Sequence, residues 1–376
     1  MQFPSRKEGK MKNPFSFTTV VDDPAFCNRE TEQAELIRLI EASQNVLLYS
    51  HRRFGKTSLI LKVFKQLNDI LPIYVDLYGT TSIADFIRAA LTGIGTAEPR
   101  PQRLMKFVRE TITSFSASLS FDPVTGLPSV TPQLTPGMKE APLEDVFRLA
   151  KAVSKKKKMV IAFDEFQEVA RYGGDAFEKQ LRKHIQQHKT IAYIFSGSQK
   201  QLITEMFNDA KRAFYRQAAS FPLEKIASQD YEKWIAGLYK MGNRTIAPKM
   251  VSHVIERCER HPAYIQEFFY RLWPEKALSI VLVDEIERRI IRTRMAEFSC
   301  AWDSLTLNQR RALKLITATG GKSIYAVDNL AAFGFKTPSQ VTTAVERLME
   351  REFLVKNSSY QVQDPIFKRW LQVGQS

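Results

Sequence analysis

Two short clusters carry side chains whose types and spacing suit chemistry. The first is Asn45-Val-Leu-Leu-Tyr-Ser-His-Arg-Arg-Phe-Gly-Lys-Thr-Ser58, in which a short apolar run, Val46 to Tyr49, enters a polar loop ending in Gly55-Lys56-Thr57. Phosphate chemistry asks for this order. The glycine lets backbone N–H groups approach the anion, the lysine reaches the outer phosphates, and the threonine hydroxyl holds magnesium, with the positive end of the next helix behind them. Arg52, Arg53, Phe54 and Ser58 complete the candidate nucleotide-binding set around Gly55, Lys56 and Thr57. The full pattern places another glycine five residues before Gly55, where this chain has Ser50, which reaches left-handed turns less freely.

The second cluster is Met159-Val-Ile-Ala-Phe-Asp164-Glu165-Phe-Gln-Glu168. Apolar residues followed by adjacent carboxylates describe a buried strand presenting acids at its C-terminal end, the edge at which open α/β sheets bind ligands. Asp164 would hold magnesium through water, and Glu165 would orient and deprotonate the attacking water. Alone, such a pair reads as a helix N-cap. Beside the lysine loop it reads as the acidic half of a nucleotide-hydrolysing site.

Other candidates are open to two readings. Thr190 to Phe195 is a further strand ending in Ser196-Gly-Ser198. Ser198 can sense the terminal phosphate or cap the following helix, Gln199 to Phe207. Arg212 and Arg216, spaced one helical turn apart, suit arginine fingers for an adjacent subunit's nucleotide or a basic surface. His261 can approach the phosphates or cap a helix. Phe26 and the turn at Asn28-Arg29 can close over an adenine base, Asn28 also being a candidate N-cap for the helix that follows.

Positioning these groups needs alternating strands and helices, and the chain supplies them. After the Ser58 to Leu67 helix come a strand at Leu71 to Tyr78 and a helix at Ser82 to Leu91, which implies a parallel sheet covered on both faces. From about Gly93 to Pro142 a basic amphipathic helix, Arg103 to Thr113, and a hairpin turning at Asp122 to Gly126 interrupt the rhythm. A helix at Leu143 to Val153 and the Lys155 to Lys158 turn lead into the acidic strand. Past Leu223 the spacing is helical. Leu307 to Thr317, Ile324 to Phe333 and Pro338 to Arg351 read as three helices, Phe353 to Val362 as a hairpin and Asp364 to Leu371 as a closing helix, which together make a winged helix. Thr337 is its third helix's expected N-cap, and Ser339, Gln340, Thr342, Thr343 and Arg347 face outward, suited to a DNA groove or to a protein surface. The expected organisation is a flexible leader at 1–20, a P-loop core at 21–225 with the insert at 93–142, a helical lid with a connecting helix at 226–299 and the winged helix at 300–376.

Composition narrows the class. With 376 residues and 44% hydrophobic content the chain can bury more than one core. No apolar run approaches membrane-spanning length, and the charged start has no apolar stretch behind it, so a soluble, cytoplasmic protein without membrane contact is expected. Cys27, Cys258 and Cys300 are too dispersed for a metal site or a disulfide framework. A net charge of +15 favours polyanionic partners.

In this order the motifs resemble the archaeal and bacterial P-loop ATPases related to the AAA+ and STAND classes. The resemblance rests on Phe26-Cys-Asn-Arg-Glu-Thr-Glu, Arg52-Arg-Phe-Gly-Lys-Thr-Ser58, Phe163-Asp-Glu-Phe-Gln167, Gly197-Ser198, Phe214-Tyr-Arg216, His261-Pro-Ala-Tyr264 and Asp364-Pro-Ile-Phe-Lys-Arg-Trp370. It implies an AAA+-like parallel-sheet core, a helical lid and a winged helix, with ATP or ADP and magnesium between core and lid and turnover moving them. Ser50 and Asn28 stand where glycine is usual. Two functions fit: a magnesium-dependent ATPase whose winged helix engages double-stranded DNA, or a STAND-like nucleotide switch that turns over slowly and controls a protein partner. Either can act as a homo-oligomer.

Overall fold

A run such as Met159 to Phe163 has no polar face, so it is stable only as a strand covered on both sides. The computed structural model describes residues 11–98, 100–112, 116–121, 128–133, 141–154, 157–172 and 174–373. It places this run inside a five-stranded parallel sheet, paired with a strand on either side. The chain forms two compact units, 29–224 and the combination of 225–373 with 11–28.

The first unit opens with α1 (Glu30–Glu41), β1 (Val46–Tyr49), α2 (Lys56–Phe64), β2 (Ile70–Asp76) and α3 (Ile83–Ala97). The insert follows as α4 (Pro101–Thr111) and an antiparallel hairpin of β3 (Ser116–Phe121) and β4 (Pro128–Gln133). The expected turn at Asp122 to Gly126 and Lys155 and Lys156 of the lysine run lie outside the described residues. The unit continues with α5 (Ala141–Ser154), β5 (Lys158–Asp164), a 3-10 helix (Phe166–Arg171), α6 (Gly174–Gln186), β6 (Ile191–Gly197), α7 (Lys200–Asn208) and β7 (Ala219–Pro222).

Sheet order is β2-β5-β6-β1-β7. One strand, β6, therefore separates the lysine loop that follows β1 from the acids that end β5. Register aligns the C-terminal ends: Tyr49 pairs with Gly197, Phe163 with Phe195, and Asp76 with Asp164. Met159 to Phe163 are each at most 4% exposed. Burying each large side chain among them contributes about 1.5–3 kcal/mol, which offsets the cost of ending the strand in a buried acid.

Phe214, from the Phe214-Tyr-Arg216 motif, plugs this core, its ring centroid 5.3 Å from those of Phe166 and Phe207 and 5.4 Å from that of Phe195. The segment around it is a chain of turns rather than the helix that the arginine spacing suggests. Tight packing of Phe214 and Ala213 fixes the turn. The short edge strand β7 has no strong sequence signal, being exposed except at Phe221 and held by pairing with β1.

The second unit holds α8 (Ser228–Met241), α9 (Pro248–Arg257), α10 (Pro262–Leu272), α11 (Ile280–Thr293) and α12 (Met295–Asp303), then α13 (Leu307–Thr319), α14 (Val327–Ala332), α15 (Pro338–Glu350), the antiparallel pair β8 (Leu354–Lys356) and β9 (Tyr360–Val362), and α16 (Pro365–Val373). The expected lid and winged helix share one continuous core. Phe298 of α12 packs against Phe367 and Trp370 of α16, Lys368 pairs with Glu259, and Tyr264 donates to Asp364.

Residues 11–20, expected as a flexible leader, are instead packed in this unit; residues 1–10 lie outside the described set. Phe15 is 2% exposed, its ring within 5.4–6.4 Å of Trp234, Tyr239, Phe269 and Trp273. Asn13 donates to the Tyr270 carbonyl at 2.8 Å, and Trp234 donates to the Pro24 carbonyl at 3.1 Å. One large aromatic side chain finding an apolar pocket is enough to order a segment that shows no periodicity. Residues 21–28 likewise cluster here rather than with the core.

Candidate functional site

The loop after β1 bends twice into left-handed backbone, at Arg53 (φ 61°) and Gly55 (φ 89°), and Ser50 is not among the residues with positive φ. The missing glycine is therefore no obstacle to the turn. Ser50 is buried, and its hydroxyl accepts from the Lys56 ammonium at 3.4 Å. Lys56, also buried, reaches back along the loop to the carbonyls of Ser50 and His51 at 3.3 and 3.2 Å. Arg52 and Arg53 are exposed, while Phe54 is buried with its ring against His51. Ser58 is buried in the first turn of α2.

Across β6 the two acids meet these groups. Asp164 is 4% exposed and accepts four hydrogen bonds. Thr57 and Tyr74 donate to Oδ2 at 2.6 and 2.7 Å, and Ser196 and the Glu165 N–H donate to Oδ1 at 2.7 and 3.1 Å. Glu165 sits in left-handed backbone (φ 53°), which turns its side chain out of the strand line. Its Oε2 accepts from Ser198 at 2.7 Å and from Gln167. The sheet edge thus joins Thr57, Asp164, Ser196, Glu165 and Ser198 in one polar network, with Lys56 next to Thr57 in the chain.

The loop fits an anion on its own geometry. A Cβ built on Gly55 would meet nothing within 4 Å, so open space stands over the backbone where the α2 N-terminus begins. Arg29 gives a second indication: it is 5% exposed, pairs with Glu32 at 2.7 Å through Nη1, and leaves Nη2 buried with no acceptor among the described residues. No group of three or more His, Cys, Asp or Glu residues among those described is arranged to hold a metal unaided. Thr57 and Asp164 are the oxygen donors that could hold magnesium.

The remaining expected residues fall elsewhere. Arg212 is bound through Nε and Nη2 to Glu178, whose carboxylate is 1% exposed and is pushed up by burial and pulled back by the guanidinium. Arg216 is exposed, φ 54°, with its guanidinium over the Tyr215 ring. The α1 N-cap is Arg29 rather than Asn28, both being left-handed. Phe26 and Asn28 are half-buried in the second unit. His261 occupies the N-cap of α10, yet its ring packs at a tilt against Tyr264, 4.6 Å between centroids, and makes no side-chain cap. Thr337 is the N-cap of α15 without a side-chain cap, sharing a hydrogen bond with Ser339 at 3.0 Å. Gln340 accepts from the Lys336 N–H at 2.9 Å, Thr342 and Thr343 are exposed, and Arg347 pairs with Glu350 at 2.8 Å.

Residues 296–373 match the family model of a probable winged helix domain. Among solved structures, a Walker-type ATPase of Pyrococcus abyssi is similar over 93% of this chain and 97% of its own, at 17% identity and a TM-score of 0.68. The chain shares the fold of that protein, a parallel-sheet core in a chain that ends in a winged helix domain. The Aeropyrum pernix ORC1 protein in complex with DNA and the Aeropyrum pernix ORC2 protein are similar at TM-scores of 0.48 and identities of 14% and 13%, covering 93% and 97% of this chain and 93% and 98% of theirs. No curated protein sequence is similar enough to match.

Within this parallel-sheet core, three residues that sequence reasoning missed stand at the acids. Ser196 is in the motif already singled out, but only the register of β6 shows it bonded to Asp164. Tyr74 and Asp76 lie on β2, which carries no motif; parallel pairing of β2 with β5 brings them alongside. Asp76 is pushed up by burial and by the nearby charges of Asp164 and Glu165, partly offset by the Tyr78 N–H.

Proposed function

We propose that the chain binds ATP with magnesium at the C-terminal edge of its sheet and hydrolyses it to ADP and phosphate. The observation that carries this reading is the network joining Thr57, next to Lys56 in the chain, with Asp164, Ser196, Glu165 and Ser198, drawn from three strand ends. The likeness in fold to a Walker-type ATPase supports it.

The backbone at Gly55 and the α2 N-terminus would cradle the phosphates, with Arg52, Arg53, Phe54 and Ser58 around them and Arg29 supplying a buried cation. Lys56 would leave its loop carbonyls for the outer phosphates, exchanging neutral acceptors for charged ones. Thr57 and Asp164 would hold magnesium, which when bound neutralises charge on the β- and γ-phosphates. Glu165 would take the proton of an attacking water. Ser198 and Gln167 orient that carboxylate through Oε2, leaving Oε1 as the basic oxygen.

The chain passes between its two units at 28/29 and 224/225, and turnover would act through those two connections. Double-stranded DNA is the proposed partner of the winged helix. The +15 charge supports this, as does the start of α15, where Lys336, Thr337, Ser339 and Thr343 are exposed and carry no carboxylate. The deciding experiment compares wild type with Glu165→Gln and Lys56→Ala. The first should retain nucleotide binding and lose about 100-fold or more of its hydrolysis rate; the second should lose binding. Equal turnover in wild type and Glu165→Gln would reject the site.

A further inference from the structure

Asp164 holds more partners than a metal-binding carboxylate has room for. A carboxylate offers about four lone-pair positions. On Asp164 all four are taken: Thr57 and Tyr74 on Oδ2, Ser196 and the Glu165 N–H on Oδ1. A metal-bound water must donate to one of these positions, so one donor must leave for it to do so.

The four donors differ in their freedom to move. The Glu165 N–H is backbone. Thr57 can ligate a metal through its oxygen while its proton stays on Asp164, so its place is kept. Ser196 lies on the central strand β6 and is fully buried. Tyr74 borders a groove of about 500 Å³ lined by Tyr74, Asp76, Tyr78, Asp85, Arg88 and Thr96, which gives its side chain room to move. Its backbone is pinned, because α3 crosses it at Gly93, where an added Cβ would stand 2.4 Å from the Tyr74 carbonyl oxygen. Movement is left to the side chain. Burial and the Asp164 charge push the Tyr74 hydroxyl up, so it stays a donor at any working pH.

The geometry points to Tyr74 as a positioning residue that governs magnesium entry: its hydroxyl holds the Asp164 position required by a metal-bound water and swings into the groove to release it. This rests on the reading of the site as a magnesium-nucleotide site. Tyr74 never touches nucleotide in this scheme. It sets how much magnesium the site demands by competing for one acceptor.

The test is calorimetric titration of ADP into wild type, Tyr74→Phe and Tyr74→Leu, in EDTA and across a magnesium series. Circular dichroism establishes that each variant is folded. Expected is unchanged ADP affinity in EDTA and a magnesium concentration for half-maximal tightening that falls about 5–10-fold in both variants, since each frees an Asp164 lone pair. A magnesium requirement that is unchanged or raised in a folded variant overturns the role of Tyr74 and leaves the nucleotide site standing. Absence of nucleotide binding in wild type overturns both. Tyr74→Leu guards against a water simply replacing the phenol hydroxyl: a fall in Tyr74→Leu without one in Tyr74→Phe would make ring bulk the barrier and reject competition by the hydroxyl.

Discussion

Among the described residues Glu165 accepts side-chain hydrogen bonds on Oε2, from Ser198 and Gln167, an arrangement that fixes the plane of the carboxylate while leaving the other oxygen basic. Ser198→Ala removes one tether and should lower hydrolysis about tenfold with little change in nucleotide affinity, measured by steady-state phosphate release; unchanged turnover would show that Gln167 alone suffices. Arg212 belongs to a different argument. Its guanidinium neutralises a carboxylate that is 1% exposed, so Arg212→Ala should destabilise the isolated chain by about 2–3 kcal/mol, less than a fully buried pair because the arginine keeps a quarter of its surface. Urea unfolding of Arg212→Ala, Glu178→Gln and the double variant checks this. A stable Arg212→Ala protein with lost turnover would restore the arginine to the nucleotide.

At the scale of elements, α6 and β6 are joined by a titratable contact. His188, just after α6, shares a hydrogen bond with the fully buried Tyr193 of β6 at 2.6 Å and packs at a tilt against Phe147. Burial, with the charges of Lys151 and His184, holds its pKa down at about 4. The unfolded chain would protonate it near 6.5. The unfolded state therefore binds more protons between these values, so this contribution is intact above about pH 6.5 and is lost as pH falls to about 4. Denaturant midpoints measured across that window should drop more steeply for wild type than for His188→Asn; parallel curves would remove His188 as the cause. In the second unit α13 begins with a full capping box, in which Thr306 accepts from the Gln309 N–H and Gln309 accepts from the Thr306 N–H. Thr306→Ala should cost about 1 kcal/mol.

For the whole molecule, the fusion of the helical region and winged helix into one core changes how partners can be tested. Deleting residues 300–376 would strip Phe367 and Trp370 from Phe298 and expose apolar surface, so loss of DNA binding by such a deletion would say little. Surface substitutions at the start of α15 avoid this. Lys336→Glu with Thr343→Glu should weaken duplex binding and flatten its dependence on salt; affinity and slope equal to wild type would exclude this helix as the DNA contact. No described helix is long and apolar enough to cross a membrane. The N-terminal segment has its own test: Phe15→Ala should cost about 3 kcal/mol of the second unit's stability, as expected for an aromatic that is 2% exposed among four other rings.

What the sequence determined by itself was local. Gly55-Lys56-Thr57 must follow a strand and open a helix because those residues are covalent neighbours of Val46 to Tyr49 and of the α2 apolar face, and the same holds for Asp164 and Glu165 at the end of β5. The three-helix and hairpin pattern of the C-terminal domain was legible for the same reason, each element carrying its own period and its own punctuation. Tertiary structure alone decided strand order, and with it that β6 lies between lysine and acids while Tyr74 and Ser196 reach Asp164. It also decided that Arg212 answers Glu178 and that Phe15 is buried. Each of these is a contact between residues distant in the chain, set by which surfaces bury best against each other, and periodicity within a window of a dozen residues holds no information about that choice.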